Sequence, residues 1–545
     1  MRRSTLLVVL TVIVIVAIVI TWIHLHGGIG VLQTTPTVSP LASLRVGTTM
    51  TIRTDSIFTD YYFSVLCSSL VFEKIVVVDE KGGIKPWLAT EWEVKDNGMV
   101  WIFKIADNVT WHDGKKLTAH DIVFSINYFM SKVPIYKRHL ALIEEAKVID
   151  DYTISIKLKK PWARFLYNLA VVRIIPKHIW ENVEDPFKYE RDDRNIGAGP
   201  FVYVGFDKAT GVLRFRAYPN YWKGRPKIDE VVVKIYKTMD AAILALKRGD
   251  VDTIWHYARG IDSIYVPVLL ENPNIHFIIK PNFGVGNILW FNNKIYPYNI
   301  TEFRIAISYA LSYSDYVRMI MAGYADIPNA GLVPPGWKYF KETRKLETNT
   351  SKAIEFLEKL GFKDIDGDGW RELPNGTEFT MKVTVRSDIP VNVRLAELVK
   401  RDLESIGLQV KLIPVDLQTF REIVYVKRSH ECCISRTTTW GMLMWAGYGT
   451  GYIDARNIGW ANVDDPELQK IVDELLVTTN EEKIRELAYK LQDLYAEKLY
   501  VIPLYWDKII QPYNAARISG LKYSPMMGIF YKETWVSISI IKGGE

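Results

Sequence analysis

The chain of 545 residues holds three cysteines, Cys67, Cys432 and Cys433. That is too few for a disulfide framework to carry a body of this size. It also lacks a marked excess of one charge. The net charge is +6 with no long basic run, whereas a nucleic-acid surface would need its cations gathered together. Chemical signatures are missing as well. No G-x-S-x-G, H-E-x-x-H, G-x-x-x-x-G-K-[ST] or C-x-x-C occurs, so the sequence offers no nucleophile elbow, zinc-protease helix, phosphate loop or paired thiols. No period of 20–50 residues marks a repeat array. An enzyme is not expected.

What is present begins with one long apolar run. Arg2 and Arg3 precede "LLVVLTVIVIVAIVITWI", residues 6–23, which contains no charge. As a helix rising about 1.5 Å per residue it would reach roughly 27 Å, close to a hydrocarbon core. The positive flank, residues 1–5, would stay in the cytoplasm and the rest would lie outside. The run is long for a cleaved signal and "HLHGG" follows it, which favours a retained anchor over a secreted form. No cysteine follows the run, which argues against a lipid-modified terminus. Residues 24–43 read as a polar tether. Sequons begin at Asn108, Asn299, Asn349 and Asn375, a pattern short enough to arise by chance.

Beyond the tether, charged residues make 24% and apolar residues 48% of the chain, the balance of a folded protein. The length calls for two or three lobes. "SLRVGTTMTI", "GMVWIFKIAD" and "YTISIKLKK" alternate as strands. "TMDAAILALKRGDVD", "SKAIEFLEKLG" and "NVRLAELVKRDLESIG" have helical spacing and end at glycine. Asp465 before Pro466 and the acids after Asn480 open two more helices. The expected class is a mixed α/β, bilobed body.

Two stretches invite a chemical reading. In "NVTWHDGKKLTAHDIVF", residues 108–124, His112 adjoins Asp113 and His120 adjoins Asp121. Asp113-Gly114 makes a turn and Thr118 with Asp121 a capping box, so the stretch is read as architecture. In "DIDGDGWRE", Asp364, Asp366 and Asp368 alternate before Gly369 like the first half of a calcium loop. The twelfth position is Asn375, not a bidentate glutamate, although Glu372 is near. No cofactor is expected; the loop reads as an Asp/Gly-rich turn between a helix and a strand, with a structural Ca²⁺ as the alternative.

In order along the chain, "SLVFEKIVVVDEKGGIKPWLATEWEV", "WIFKIADNVTWHDGKKLTAHDIVFSI", "GAGPFVYVGF", "YPNYWKGRPKIDEVVVKIY", "ALKRGDVD", "LWFNNKIYPYNITEFRIAISYALSYSDYV" and "YVIPLYW" resemble the extracellular solute-binding proteins, family 5, of ABC importers. The resemblance runs from about Leu44 to the C-terminus. It implies a periplasmic-binding-protein-like fold with an insert subdomain and a two-strand hinge. Lobe I is expected at 44–73, 198–283 and 511–545, the insert at 74–197, and lobe II at 284–510. The partners it implies are an enclosed oligosaccharide or oligopeptide and a membrane permease, with the ectodomain a monomer. Capture would proceed by hinge closure.

In peptide-binding relatives a W-x-x-D-Y stretch supplies an aspartate for the peptide amine. The stretch compared with it, "LMWAGYGTGY", has Trp445 and Tyr448 one residue closer together than in that pattern, with Gly447 before the tyrosine where the aspartate would stand and Asp454 the nearest substitute. The oligosaccharide is therefore slightly favoured over the peptide. Aromatic platforms for it are Trp440, Trp445, Tyr448, Trp255, Tyr257, Phe283, Tyr61 and Tyr62, with His256 beside them. A nickel chelate, for which His256 and His430 would have to serve, a chemosensory binding role and an enzyme rank lower.

Overall fold

The computed structural model describes residues 41–257, 260–282, 286–436, 460–524 and 527–541. The apolar run at 6–23 and the candidates Phe283, Trp440, Trp445 and Tyr448 lie outside the described residues, as do Gly447 and Asp454. Among the described residues no helix is long and apolar enough to cross a membrane.

Strands occur where apolar and polar residues alternate. In chain order the longer ones are β1 (Ser43–Thr48), β2 (Ala89–Lys95), β3 (Val100–Ile105), β4 (Ile143–Asp150), β5 (Thr153–Leu158), β6 (Phe201–Asp207), β7 (Val212–Ala217), β8 (Glu230–Ile235), β9 (Thr253–Trp255) and β10 (Ile275–Pro281). They continue as β11 (Asn287–Phe291), β12 (Thr380–Arg386), β13 (Gln409–Val415), β14 (Cys432–Arg436), β15 (Val501–Pro503) and β16 (Trp506–Asn514). Three main sheets result. The first has the order β10-β16-β9-β1-β8-β7-β6, with β1 parallel to both neighbours. The second, β2-β3-β5-β4, is antiparallel throughout and falls within 74–197. The third has the order β13-β12-β14-β11-β15, with β12 parallel to β13 and β14.

The chain passes between the first and third sheets twice. Residues 282–286 join β10 to β11, and Leu504–Tyr505 joins β15 to β16. The crossings lie side by side. Asn282 donates its backbone N–H to Asp507 O at 3.1 Å, and a Cβ on Gly286 would stand 2.4 Å from Tyr505 O. Only glycine lets the two backbones run this close. The second crossing comes before Trp506, so the whole of β16 belongs to the first sheet.

The cores follow the sheets. A buried cluster from Leu289 to Tyr505 belongs to the third sheet and its helices. Another unites the first sheet with the insert, through Leu44, Phe103, Trp111, Phe201 and Trp535 among others. Helices form where the amphipathic patterns stood: Met239–Arg248, capped by Gly249; Thr350–Lys359; Pro390–Glu404; Pro466–Val477, capped by Asp465; and Glu481–Lys498, capped by Asn480.

The "WHDG" stretch joins the insert to the first lobe. Trp111 is fully buried. His112 Nε2–H donates to Gly199 O at 3.0 Å, and His112 Nδ1 accepts from Gly197 N–H at 3.3 Å. A Cβ on Gly197 would lie 1.9 Å from Val71 O, which is why "GAGP" has glycine there. Asp113 accepts from His178 at 2.7 Å, and Asp121 closes the capping box with Thr118. Burial holds the His112 imidazole down at about 4, neutral at ordinary pH. The paired histidines are architecture. All three cysteines are buried and free.

Candidate ligand-binding site

Loops that leave the carboxyl ends of parallel strands form the natural crevice of an open α/β sheet. In the first lobe those ends are β1, followed by the segment leading into helix Tyr61–Leu70, and β9, followed by His256 and Tyr257. Asp60 caps that helix by accepting from Phe63 N–H at 2.9 Å, which fixes where Tyr61 and Tyr62 emerge. The result is a tyrosine corner. The Tyr61 ring lies 5.5 Å from Tyr62 and 5.8 Å from Tyr257, edge-on in both cases. Tyr61 donates its hydroxyl to Tyr257 at 3.2 Å. Tyr61 is 51% exposed, so one face of the corner is open. Burial first, and the Tyr61 hydroxyl second, push the Tyr257 phenol well above its ordinary value, so it remains a neutral donor.

The structure brings these three candidates together and separates a fourth. Trp255, the last residue of β9, is 2% exposed and packs its ring against Phe530 at 5.1 Å. The strand Thr253–Trp255 is buried along its whole length, whereas Tyr257 lies two residues beyond its end and stays half-buried. Trp255 thus sits in the core packing of the first lobe, apart from the exposed corner. His256 is half-buried beside it.

A second group of residues, not anticipated from sequence, surrounds a cavity of about 320 Å³ at the crossings. Its walls come from Ile261 and Ile510 of the first lobe and from Asn287, Asp388, Arg394 and Arg436 of the second. Arg436 ends β14, and Asp388 lies between β12 and helix Pro390–Glu404, again at carboxyl ends of parallel strands. Some of the charges there are matched. Asp388 accepts from Arg386 Nε at 3.0 Å, and Lys508 pairs with Asp326 at 2.7 Å. Arg394 and Arg436 have no acidic partner among the described residues. Asn287 gives its amide N–H to Tyr505 at 2.6 Å, but its Oδ1 is buried with no donor. Buried polar atoms are normally satisfied. This cavity thus presents two arginines without an acidic partner and the unmatched Asn287 Oδ1, with the carboxylates of Asp262, Asp388 and Asp507 also in its walls. The arrangement can hold a solute that carries an anionic group and an N–H or O–H donor, and it contains no nucleophile–base pair.

The comparisons with known proteins bear on the family and the fold. The family model for bacterial extracellular solute-binding proteins, family 5, matches residues 83–463. This chain belongs to that family. The chain is 26% identical to heme-binding protein A of Haemophilus influenzae over 84% of its length and 85% of that protein. Its fold matches the oligopeptide-binding protein AppA of Bacillus subtilis, solved with a nonapeptide, at TM-score 0.69 and 21% identity, covering 92% of this chain and 99% of that one. It also matches the mannohexaose-bound periplasmic oligopeptide-binding protein of Thermotoga maritima at TM-score 0.68 and 20% identity, with coverage of 92% and 99%. The family 5 protein is the solute-binding component of an ABC importer, it works outside the cytoplasm, and it is not an enzyme. Its fold is the expected bilobed α/β architecture.

Outside the cleft, Asp364, Asp366 and Asp368 bring one carboxylate oxygen each within 4.8 Å of one another, all exposed. Asp364 accepts from Gly367 N–H at 2.7 Å and Gly369 N–H at 3.0 Å, and Glu372 from Ile365 N–H at 2.7 Å. His430, the other histidine weighed for a nickel chelate, is buried and bonds Trp460 O at 2.7 Å through Nε2.

Proposed function

We propose that this family 5 protein captures an oligopeptide in the interlobe cleft and hands it to a membrane permease. The observation that carries this reading is the trio of Arg394, Arg436 and Asn287 Oδ1 in one cavity. A peptide end supplies a carboxylate for the arginines and backbone N–H groups for the asparagine. A neutral sugar supplies donors but no counter-charge. The oligopeptide and dipeptide binders among the relatives support the same class. The second reading, an oligosaccharide, rests on Gly447 and on the open tyrosine corner, where rings offer stacking platforms. Mass analysis of small molecules released by denaturing protein purified from its own host tests both. Amino-acid mass steps are expected; hexose or pentose steps would overturn the peptide and establish the sugar.

The ectodomain acts as a monomer tethered by residues 6–23, which a mature N-terminus found beyond Ile23 would overturn. The aspartate loop takes Ca²⁺ as a structural ion remote from the cargo, and a thermal transition unmoved by calcium would remove it.

A further inference from the structure

Where the insert leaves the first lobe, the chain buries more positive charge than negative. Lys74, Arg173 and Lys532 are 8%, 5% and 3% exposed, and Lys74 pairs with Arg173 across an antiparallel bridge. The neighbouring buried carboxylate is Glu73, and it is saturated. Trp87 donates to it at 2.5 Å, Tyr221 at 2.9 Å and Trp222 at 3.4 Å, while Lys532 lies 3.5 Å away. Arg173 is bonded through Nη2 to Tyr136 at 2.7 Å, but its Nη1 is buried without an acceptor. The Lys74 carbonyl accepts from Leu88 N–H at 3.3 Å, but its ammonium has no hydrogen-bond or ion-pair partner among the described residues.

Lys74 and Lys532 line one small cavity, together with Ser68, Ser69 and Tyr531. Its volume is about 30 Å³. A water needs about 10–15 Å³ by the same measure, so there is room for two waters or one small ion. Phosphate and larger anions do not fit. We propose that this cavity binds a small monovalent anion of the halide class, which neutralises Lys74 beside the Glu73-paired Lys532 and ties the C-terminal segment to the root of the insert. A buried charge without a counter-charge is strongly unfavourable; Lys532 has Glu73 and Phe72 O, so it is the Lys74 ammonium facing this cavity that calls for an anion more than for water. Burial first, then Lys532 and Arg173, pull the Lys74 ammonium down to about 7, which agrees with a cation short of counter-charge. The site is remote in kind from cargo capture, so it stands whichever cargo is correct.

The test is thermal unfolding of the intact protein at constant ionic strength while chloride or bromide replaces sulfate. A saturable rise in Tm of about 2 °C or more is expected, together with an anomalous-scattering peak in the cavity of a bromide-soaked crystal. Lys74→Met should fold and lose the halide response. A Tm indifferent to halide in the natural chain, a soaked crystal with no peak, or a Lys74→Met variant that keeps the response would each overturn the proposal.

Discussion

Arg304 and Arg436 both belong to the second lobe, and the fold treats them in opposite ways. Arg304, on helix Thr301–Ala310, is 2% exposed and fully engaged. It donates to Tyr298 O at 2.7 Å, Leu499 O at 2.9 Å, Lys498 O at 2.7 Å and Thr301 at 3.0 Å. Arg436 stands at the end of a strand, lines the interlobe cavity and has no acidic partner among the described residues. A guanidinium with all its donors matched fastens helices to strands. One left unmatched at a crevice is held ready for something else. The same contrast separates His112, engaged through both ring nitrogens, from the half-open tyrosine corner.

Breaking the comparison on its structural side should have the largest effect. Arg304→Ala strands three buried carbonyls, each worth about 1–3 kcal/mol when left unpaired. We expect a loss of about 4 kcal/mol in unfolding free energy, read from urea melts, with ligand affinity of the folded fraction unchanged. If stability barely moved, the distinction between matched and unmatched arginines would lose its basis.

Next in size is the functional side. Arg436→Ala should leave the urea midpoint in place and weaken binding of the cargo by about 2 kcal/mol, roughly 30-fold in Kd, the scale of a charged hydrogen bond. Isothermal titration with the released cargo measures it. Should Arg436→Ala cost stability and spare affinity, Arg436 would be structural and the peptide reading would lose its anchor.

The fold was readable from the sequence because it is written in local patterns. Alternation produced β1, β3 and β5, and Asp465-Pro466 and Asn480 marked helix starts that the structure keeps. "GAGP" and "WHDG" lie far apart in sequence, yet their joint meaning, a close approach of the insert to Val71, is a property of packing that neither motif shows alone. The site was less visible for the same reason. Tyr61 and Tyr62 could be pointed out beside a strand end, and Tyr257 after "GDVDTI", but nothing in sequence told Trp255 from Tyr257; the strand's end and the tertiary packing around it decided that. Arg394, Arg436 and Asn287 passed unnoticed because an arginine is remarkable only when its partners are missing, and partners are a matter of tertiary contact. The one available hint was that Arg436 ends an apolar strand just before the aromatic "TTTWGMLMW" stretch.

A smaller effect sharpens the view of the insert as architecture. Folded His112 titrates at about 4 against 6.5 for a free imidazole. Between those values the unfolded chain binds more protons than the folded one, so the stability His112 contributes falls as pH drops from 6.5 towards 4 and is constant below. The ring is partly exposed, so we expect about 1–2 kcal/mol across that window rather than the full linkage value. His112→Gln should be less stable than the natural chain at pH 7, and the gap should close by pH 4. A gap independent of pH would mean that the imidazole does not change charge there and that its bonds to Gly197 and Gly199 are only spatial fillers.

The smallest stability effect discriminates best between cargo classes. Tyr61→Phe deletes one exposed hydroxyl bond to Tyr257 and should change stability by no more than about 0.5 kcal/mol. It keeps the ring. If the corner stacks on the apolar face of a sugar, Tyr61→Phe binds as well as the natural chain while Tyr61→Ala loses affinity. If the corner hydrogen-bonds a peptide backbone, the hydroxyl matters and the two variants lose affinity alike. Titration of both variants with the natural cargo therefore reads the chemistry of the first lobe separately from the arginines of the second. Equal losses, joined to a loss in Arg436→Ala, are the outcome expected of a peptide held at both sides of the cleft.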